Sequence, residues 1–260
     1  MKLLIVGGTG FVATELIRQS LACREITSVV ALARRPVEVP QNPGAEVDTS
    51  KLKSVVLRDF TKYSEDVKAQ LDDADACICS VSDASGRERD RTLAVTPDKL
   101  KSLPWDEVVK VCHDYTMTGL QAIVEARGSA AKSTPLRFLY MSGDSAERDQ
   151  TKTPRLMAQY CLLRGETENQ VLAFAASHPG QVEVTVAKPG LILEPGNILH
   201  WLKSWLLWVV VSLPSITVVE IAAAMLDQVI NGFEKDPLMN EDLVRIGQKA
   251  LSETTTSSLI

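Results

Sequence analysis

Along the first two-thirds of the chain, short unbroken apolar runs alternate with longer stretches in which apolar residues recur every three or four positions. The first pattern marks strands covered on both faces and the second marks helices with one buried face. Strands are predicted at Lys2–Val6, Ser28–Ala33, Ser54–Leu57, Ala76–Val81, Leu136–Met141 and Val182–Ala187. Helices are predicted between them, at Phe11–Ala22, Ser64–Leu71, Trp105–Arg127 and Pro154–Ser177. The third helix carries Val108, Cys112, Tyr115, Leu120, Ile123 and Val124 within one broad apolar stripe. The fourth opens with proline, whose missing N–H is no loss in a first turn. A further helix starts at Thr217, where Glu220 completes a capping box, and runs through Ile221, Ala224, Met225 and Val229 to Asn231-Gly232. Alternating strands and helices predict an α/β chain with a doubly wound parallel sheet.

Two polar stretches interrupt the alternation: Val37 to Lys51, rich in proline and glycine, and Ser82 to Pro104. Loops of that length often carry function. No internal repeat divides the 260 residues, so 1–251 are expected to form one domain, with 191–216 as a cover over the substrate and 252–260 as a frayed tail. The segment Trp201–Val219 is the one place where a membrane comes to mind, but Lys203 and Pro214 interrupt it. Its clean apolar part falls short of the roughly 20 residues a spanning helix needs, so no transmembrane segment is expected.

Composition adds exclusions. With 45% hydrophobic and 23% charged residues and a net charge of −5, the chain is neither disordered nor basic enough for sequence-independent nucleic-acid binding. Cys23, Cys77, Cys79, Cys112 and Cys161 are odd in number and lack zinc-type spacing, which predicts reduced thiols and a cytoplasmic location. His113, His178 and His200 are widely separated, so no metal site is expected. The apolar run after Met1-Lys2 is too short for a secretory signal.

The chemistry begins at Val6-Gly7-Gly8-Thr9-Gly10-Phe11-Val12-Ala13, between the first strand and the first helix. Gly7 permits the tight turn, Gly10 lets the backbone approach a pyrophosphate, and Ala13 allows close packing of helix on strand. Backbone N–H groups from Thr9 to Val12 then face phosphate oxygens at a helix N-terminus. This is the dinucleotide-binding arrangement of a Rossmann-type sheet. An NAD-preferring site usually carries an acidic residue after the second strand; this chain has Arg34-Arg35 there, which suits a ribose 2′-phosphate. NADP is therefore the expected cofactor, with NAD the alternative.

These residues, with Asp59 after the third strand, Phe138 to Gly143 at the end of the fifth, Tyr160 to Glu166 and Lys188-Pro189-Gly190, resemble the short-chain dehydrogenase/reductase superfamily. The nearest likeness is to its atypical epimerase-like and Tat-interacting-protein-like members, in order from residue 1 to about residue 231. The resemblance implies that Asp59 accepts a hydrogen bond from adenine, that Ser80 and Val81 line the cofactor, and that Pro189 and Gly190 pass beside the nicotinamide. Asp59 as a carboxylate capping the following helix is the alternative. The family pairs a tyrosine with a lysine four residues later; here the pair is Tyr160 and Arg164, on one helical face. Arginine keeps the positive charge but cannot readily relay a proton. Tyr160, Arg164 and Ser142 are the catalytic candidates. Gly143 competes with Ser142 for the position of the family's catalytic hydroxyl, and Ser145 is the fallback. The alternative for the pair is structural, with Tyr160 half-buried and Arg164 joined to Glu166 or Glu168 at the surface.

Trp201, Trp205 and Trp208 are three of the four tryptophans and, with Leu206 and Val209, suggest an apolar wall for a small hydrophobic substrate. Ordinary core, or a homodimer interface, is the other use of such a segment. The expected activity is an NADP-dependent oxidoreductase acting on a carbonyl or alcohol, with Tyr160 exchanging the proton. Two alternatives stand beside it: an isomerase, lyase or cyclase that keeps the nucleotide as scaffold, and a nucleotide-sensing regulator resembling NmrA-like proteins.

Overall fold

The computed structural model describes residues 1–40, 47–81, 104–128, 134–194 and 214–257, and each of the six predicted apolar runs forms a strand there. β1 (Lys2–Val6) leads through α1 (Phe11–Ala22) to β2 (Ser28–Ala33), then β3 (Leu52–Val56), the short α2 (Glu65–Lys68) and β4 (Ala76–Cys79). After α3 (Trp105–Val109), a π-helical turn (Lys110–Asp114) and α4 (Tyr115–Gly128) come β5 (Leu136–Met141), α5 (Ala158–Ser177) and β6 (Val182–Lys188). The remaining elements are β7 (Leu191–Leu193), β8 (Ser215–Thr217), α6 (Val218–Asn231), β9 (Leu238–Met239) and α7 (Asn240–Ser257).

Seven strands pair in the order β3-β2-β1-β4-β5-β6-β9, all parallel. The order reverses between β1 and β4, and such a switch point opens a crevice outside the carboxyl ends of the strands. β7 and β8 form a separate parallel pair, with Leu191 opposite Ser215.

The strands read as continuously apolar because both faces are covered. Alternate residues serve opposite layers: Leu3, Ile5, Val29, Ala31 and Ile78 pack in one cluster with Leu16 of α1 and Ile221 of α6. Leu4, Val6, Val30, Leu32 and Cys79 pack in the other with Leu120 and Ile123 of α4. The box predicted at Thr217 is present, with Glu220 N–H donating to Thr217 Oγ1 at 3.2 Å and Thr217 N–H to Glu220 Oε2 at 2.9 Å.

Several boundaries move, each for a local reason. β3 covers Leu52–Val56 rather than Ser54–Leu57, following its register on β2, where Leu52 pairs with Val29. β4 stops at Cys79, and Ser80 beyond it donates both its N–H and its hydroxyl to the Val6 carbonyl at 3.0 Å. α2 is a single turn capped by Ser64. α5 starts at Ala158 instead of Pro154 because Met157 adopts a left-handed conformation, φ 48°. The predicted third helix is interrupted by the π-helical turn, whose Cys112 carbonyl accepts from the Tyr140 and Thr167 hydroxyls.

The sequence pattern misses β7, β8, β9 and α7. The tail expected from Ser252 is corrected in its first part, since α7 continues to Ser257. Leu243 and Ile246 bury one face of α7 in the core. The helix approaches α6 so closely that a Cβ on Gly247 would fall 2.2 Å from the Glu220 carbonyl oxygen.

Candidate functional site

At the carboxyl end of β1 the glycine loop is shaped by backbone alone. Gly7 lies at φ +92°, and its N–H and that of Gly8 both donate to the Leu32 carbonyl, at 3.0 and 2.9 Å. A Cβ on Gly7 would stand 3.1 Å from the Ser80 carbonyl oxygen, and one on Gly10 would stand 3.2 Å from that of Gly7. Gly10 is the N-cap of α1 and provides no side chain, so the first-turn N–H groups are not capped by one. Thr9 is exposed at the tip of the loop, and Phe11 is half-buried. Val12 and Ala13 are buried in the core, so they face this end of the sheet through their backbone. This cradle, narrow and rich in N–H donors, fits a pyrophosphate.

Arg34 and Arg35 follow β2 directly and are exposed. Asp59 stands past the end of β3, where its Oδ1 accepts from the Thr61 N–H at 3.0 Å and the Thr61 hydroxyl at 2.8 Å. Those two bonds, with Lys110 and Lys62 nearby, hold its carboxyl below the usual range. Asp59 therefore closes its own turn, and the helix that follows is capped by Ser64. Ser80 and Val81 lie beside Gly7, with Ser80 buried and Val81 packed on the core.

The second half of the crevice is built from side chains. Tyr160 sits in the first turn of α5, half-buried. Arg164, one turn on, is only 4% exposed, so it is no surface partner of Glu166 or Glu168. Its Nη2 donates to the Met141 carbonyl at 2.6 Å, and its guanidinium lies 5.0 Å from the centre of the Tyr140 ring. Burial opposes the charge on Arg164, but Tyr140, Tyr160, Cys112 and Glu168 outweigh it and raise the pKa further. Nη1 is buried with no hydrogen-bond partner among the described residues. Ser20 Oγ, Tyr63 Oη and Arg127 Nε are buried in the same way without a partner among the described residues.

Ser142 follows β5, but its hydroxyl turns inward and donates to Glu168 Oε1 at 2.5 Å. Gly143 has no side chain, and a Cβ there would meet no atom within 4 Å. Ser145 is exposed beside Cys161. Pro189 and Gly190 leave β6 at the same end of the sheet, with the Pro189 carbonyl accepting from Asp144 N–H at 2.9 Å. Gly190 N–H donates to Asn240 Oδ1 at 2.9 Å, and Asn240 Nδ2 donates to the Ser215 carbonyl at 3.2 Å. One side chain thus ties together β7 and β8, the two ends of the expected substrate cover. Trp201, Trp205, Leu206, Trp208 and Val209 lie outside the described residues.

Sequence reasoning overlooks the charged group beneath these residues. Glu168 is fully buried and accepts from Ser142, from Arg148 Nε at 2.7 Å and from Lys188 Nζ at 3.3 Å. Lys188 also donates to the Ala146 carbonyl at 2.7 Å, and Arg148 reaches Asp236 at 2.8 Å. A lysine ending an apolar strand is the available signal, since a buried cation needs a carboxylate. Lys188 is quoted in the motif, but nothing local identifies Glu168 as its partner.

No family model matches the chain, and no curated protein matches it. Solved structures do. Vestitone reductase from alfalfa is similar with a TM-score of 0.62 at 17% identity, over 92% of this chain and 76% of that one. A dTDP-glucose 4,6-dehydratase from Streptomyces venezuelae with bound NAD reaches 0.64 at 13%, over 97% and 81%. A short-chain dehydrogenase from Burkholderia cenocepacia in complex with NADP reaches 0.60 at 16%, over 98% and 94%. The chain therefore shares the Rossmann-type α/β fold of these structures. No helix among the described residues is long and apolar enough to cross a membrane.

Proposed function

We propose that the protein is an NADP-dependent oxidoreductase acting on a carbonyl or alcohol of a small hydrophobic molecule. The observation that carries this reading is the placement of Tyr160 and Arg164 one turn apart on α5, with Arg164 bonded to the Met141 carbonyl at the carboxyl end of β5. The glycine cradle and the two exposed arginines after β2 support a dinucleotide with a 2′-phosphate, and solved structures of this fold hold NAD or NADP. Arg34 and Arg35 take the 2′-phosphate, Asp59 the adenine, and Gly7 to Val12 the pyrophosphate. Ser80 and Val81 line the cofactor beside Gly7, and Pro189 and Gly190 pass beside the nicotinamide.

When bound, the nucleotide supplies or accepts hydride at the nicotinamide C4. Tyr160 exchanges the proton at the substrate oxygen. Arg164 is held by the Met141 carbonyl and the Tyr140 ring, so it acts as a fixed charge favouring the phenolate. It remains protonated throughout. Ser142 positions rather than reacts, because its hydroxyl is committed to Glu168.

That commitment also favours a second reading, a non-redox isomerase or lyase, since no side-chain hydroxyl is left at Ser142-Gly143 to assist hydride chemistry. The two are separated by following NADPH absorbance with a panel of apolar aldehydes and ketones. Turnover in the wild type, reduced about 10²–10⁴-fold in Tyr160→Phe with NADPH affinity retained, supports the oxidoreductase. Equal turnover in Tyr160→Phe contradicts the role given to Tyr160, and substrate conversion without an absorbance change supports the second reading.

A further inference from the structure

We propose that the Asp144 carboxylate lies against the nicotinamide ring and favours the oxidised, cationic nucleotide over the reduced, neutral one. The inference rests on the nucleotide reading and extends it to a residue that no motif singles out. In a doubly wound sheet the second set of strands receives the second nucleoside of a dinucleotide, and Asp144 sits at the carboxyl end of β5 within that set.

Its placement follows from its neighbours. Ser142 turns inward to Glu168, and Gly143 has no side chain and open space beside it, so Asp144 is the first residue after β5 with a side chain for the crevice. Its backbone N–H is pinned to the Pro189 carbonyl at 2.9 Å, which holds the loop against the segment leaving β6. The residue is half-buried, and among the described residues no hydrogen bond reaches its carboxylate oxygens.

The cation that acts on it is already engaged. Lys188, the one charged group among the described residues that acts on Asp144, donates to the Ala146 carbonyl and to Glu168. Burial pushes the Asp144 carboxyl above its ordinary range and Lys188 only partly offsets this, while the other carboxyl groups with a resolved shift move downward. A partly desolvated carboxylate in this position gains from a cation that arrives with the ligand. NADP⁺ carries that charge on its ring and NADPH does not.

The test is the dissociation constant of NADP⁺ and of NADPH, each measured by titration calorimetry for the wild type, Asp144→Asn and Asp144→Glu at one neutral pH. The expected result is that Asp144→Asn weakens NADP⁺ about tenfold and leaves NADPH unchanged, while Asp144→Glu keeps the wild-type preference. Equal changes for both nucleotides, or none for either, in a wild type that binds them overturns the role of Asp144 and leaves the nucleotide reading standing. A wild type that binds neither nucleotide overturns that reading and this proposal together.

Discussion

The two halves of the crevice are built by different means. Around β1, α1 and β2 the surface is backbone: Gly7, Gly8 and Gly10 set the loop through their conformation and their lack of Cβ, and every contact that shapes it lies within a few residues or on the adjacent strand. Around β5, α5 and β6 it is side chains, and Ser142, Arg148, Glu168, Lys188 and Asp236 meet from positions up to 94 residues apart in number, from Ser142 to Asp236. A backbone device tolerates almost any neighbouring side chain but no Cβ at its glycines. A buried ionic device tolerates small steric changes but not the loss of a single charge.

Removing that charge gives the largest expected effect. Glu168→Ala leaves Lys188 and Arg148 without their shared carboxylate, and the predicted loss of stability is about 3–5 kcal/mol, measured by urea denaturation. A loss below about 1 kcal/mol would place the pair among weak surface bridges and erase the contrast between the halves. Gly7→Ala is predicted to cost less, about 1–3 kcal/mol, because its φ of +92° strains any other residue and the new Cβ presses on the Ser80 carbonyl. Its effect falls chiefly on nucleotide affinity, measured by NADPH fluorescence titration; undiminished affinity would show that the cradle is not the phosphate site.

This difference also explains what was legible beforehand. β1, α1, β2 and β5 stand where the apolar pattern put them, and the glycine loop joins the predicted pair, because periodicity and a glycine motif are local properties. The family resemblance is what singles out Tyr160 and Arg164, and the burial of Arg164 and its bond to Met141 depend on where β5 lies. Ser142 follows β5, and the direction of its hydroxyl is not legible in the sequence, since Glu168 is 26 residues away in the chain. Asp144 and Asn240 carry no motif at all. β7, β8 and β9 are two or three residues long, too short for a period to register.

The central claim is that a nicotinamide dinucleotide with a 2′-phosphate occupies both halves at once. Titration of NADPH and NADH into the wild type and into Arg34→Ala and Arg35→Ala tests it most directly. The account predicts saturable binding with NADPH preferred over NADH, and a preference reduced about tenfold or more in at least one variant, as expected for loss of an arginine–phosphate contact. No binding of either nucleotide, or an NADPH/NADH affinity ratio left unchanged by both substitutions, would contradict it.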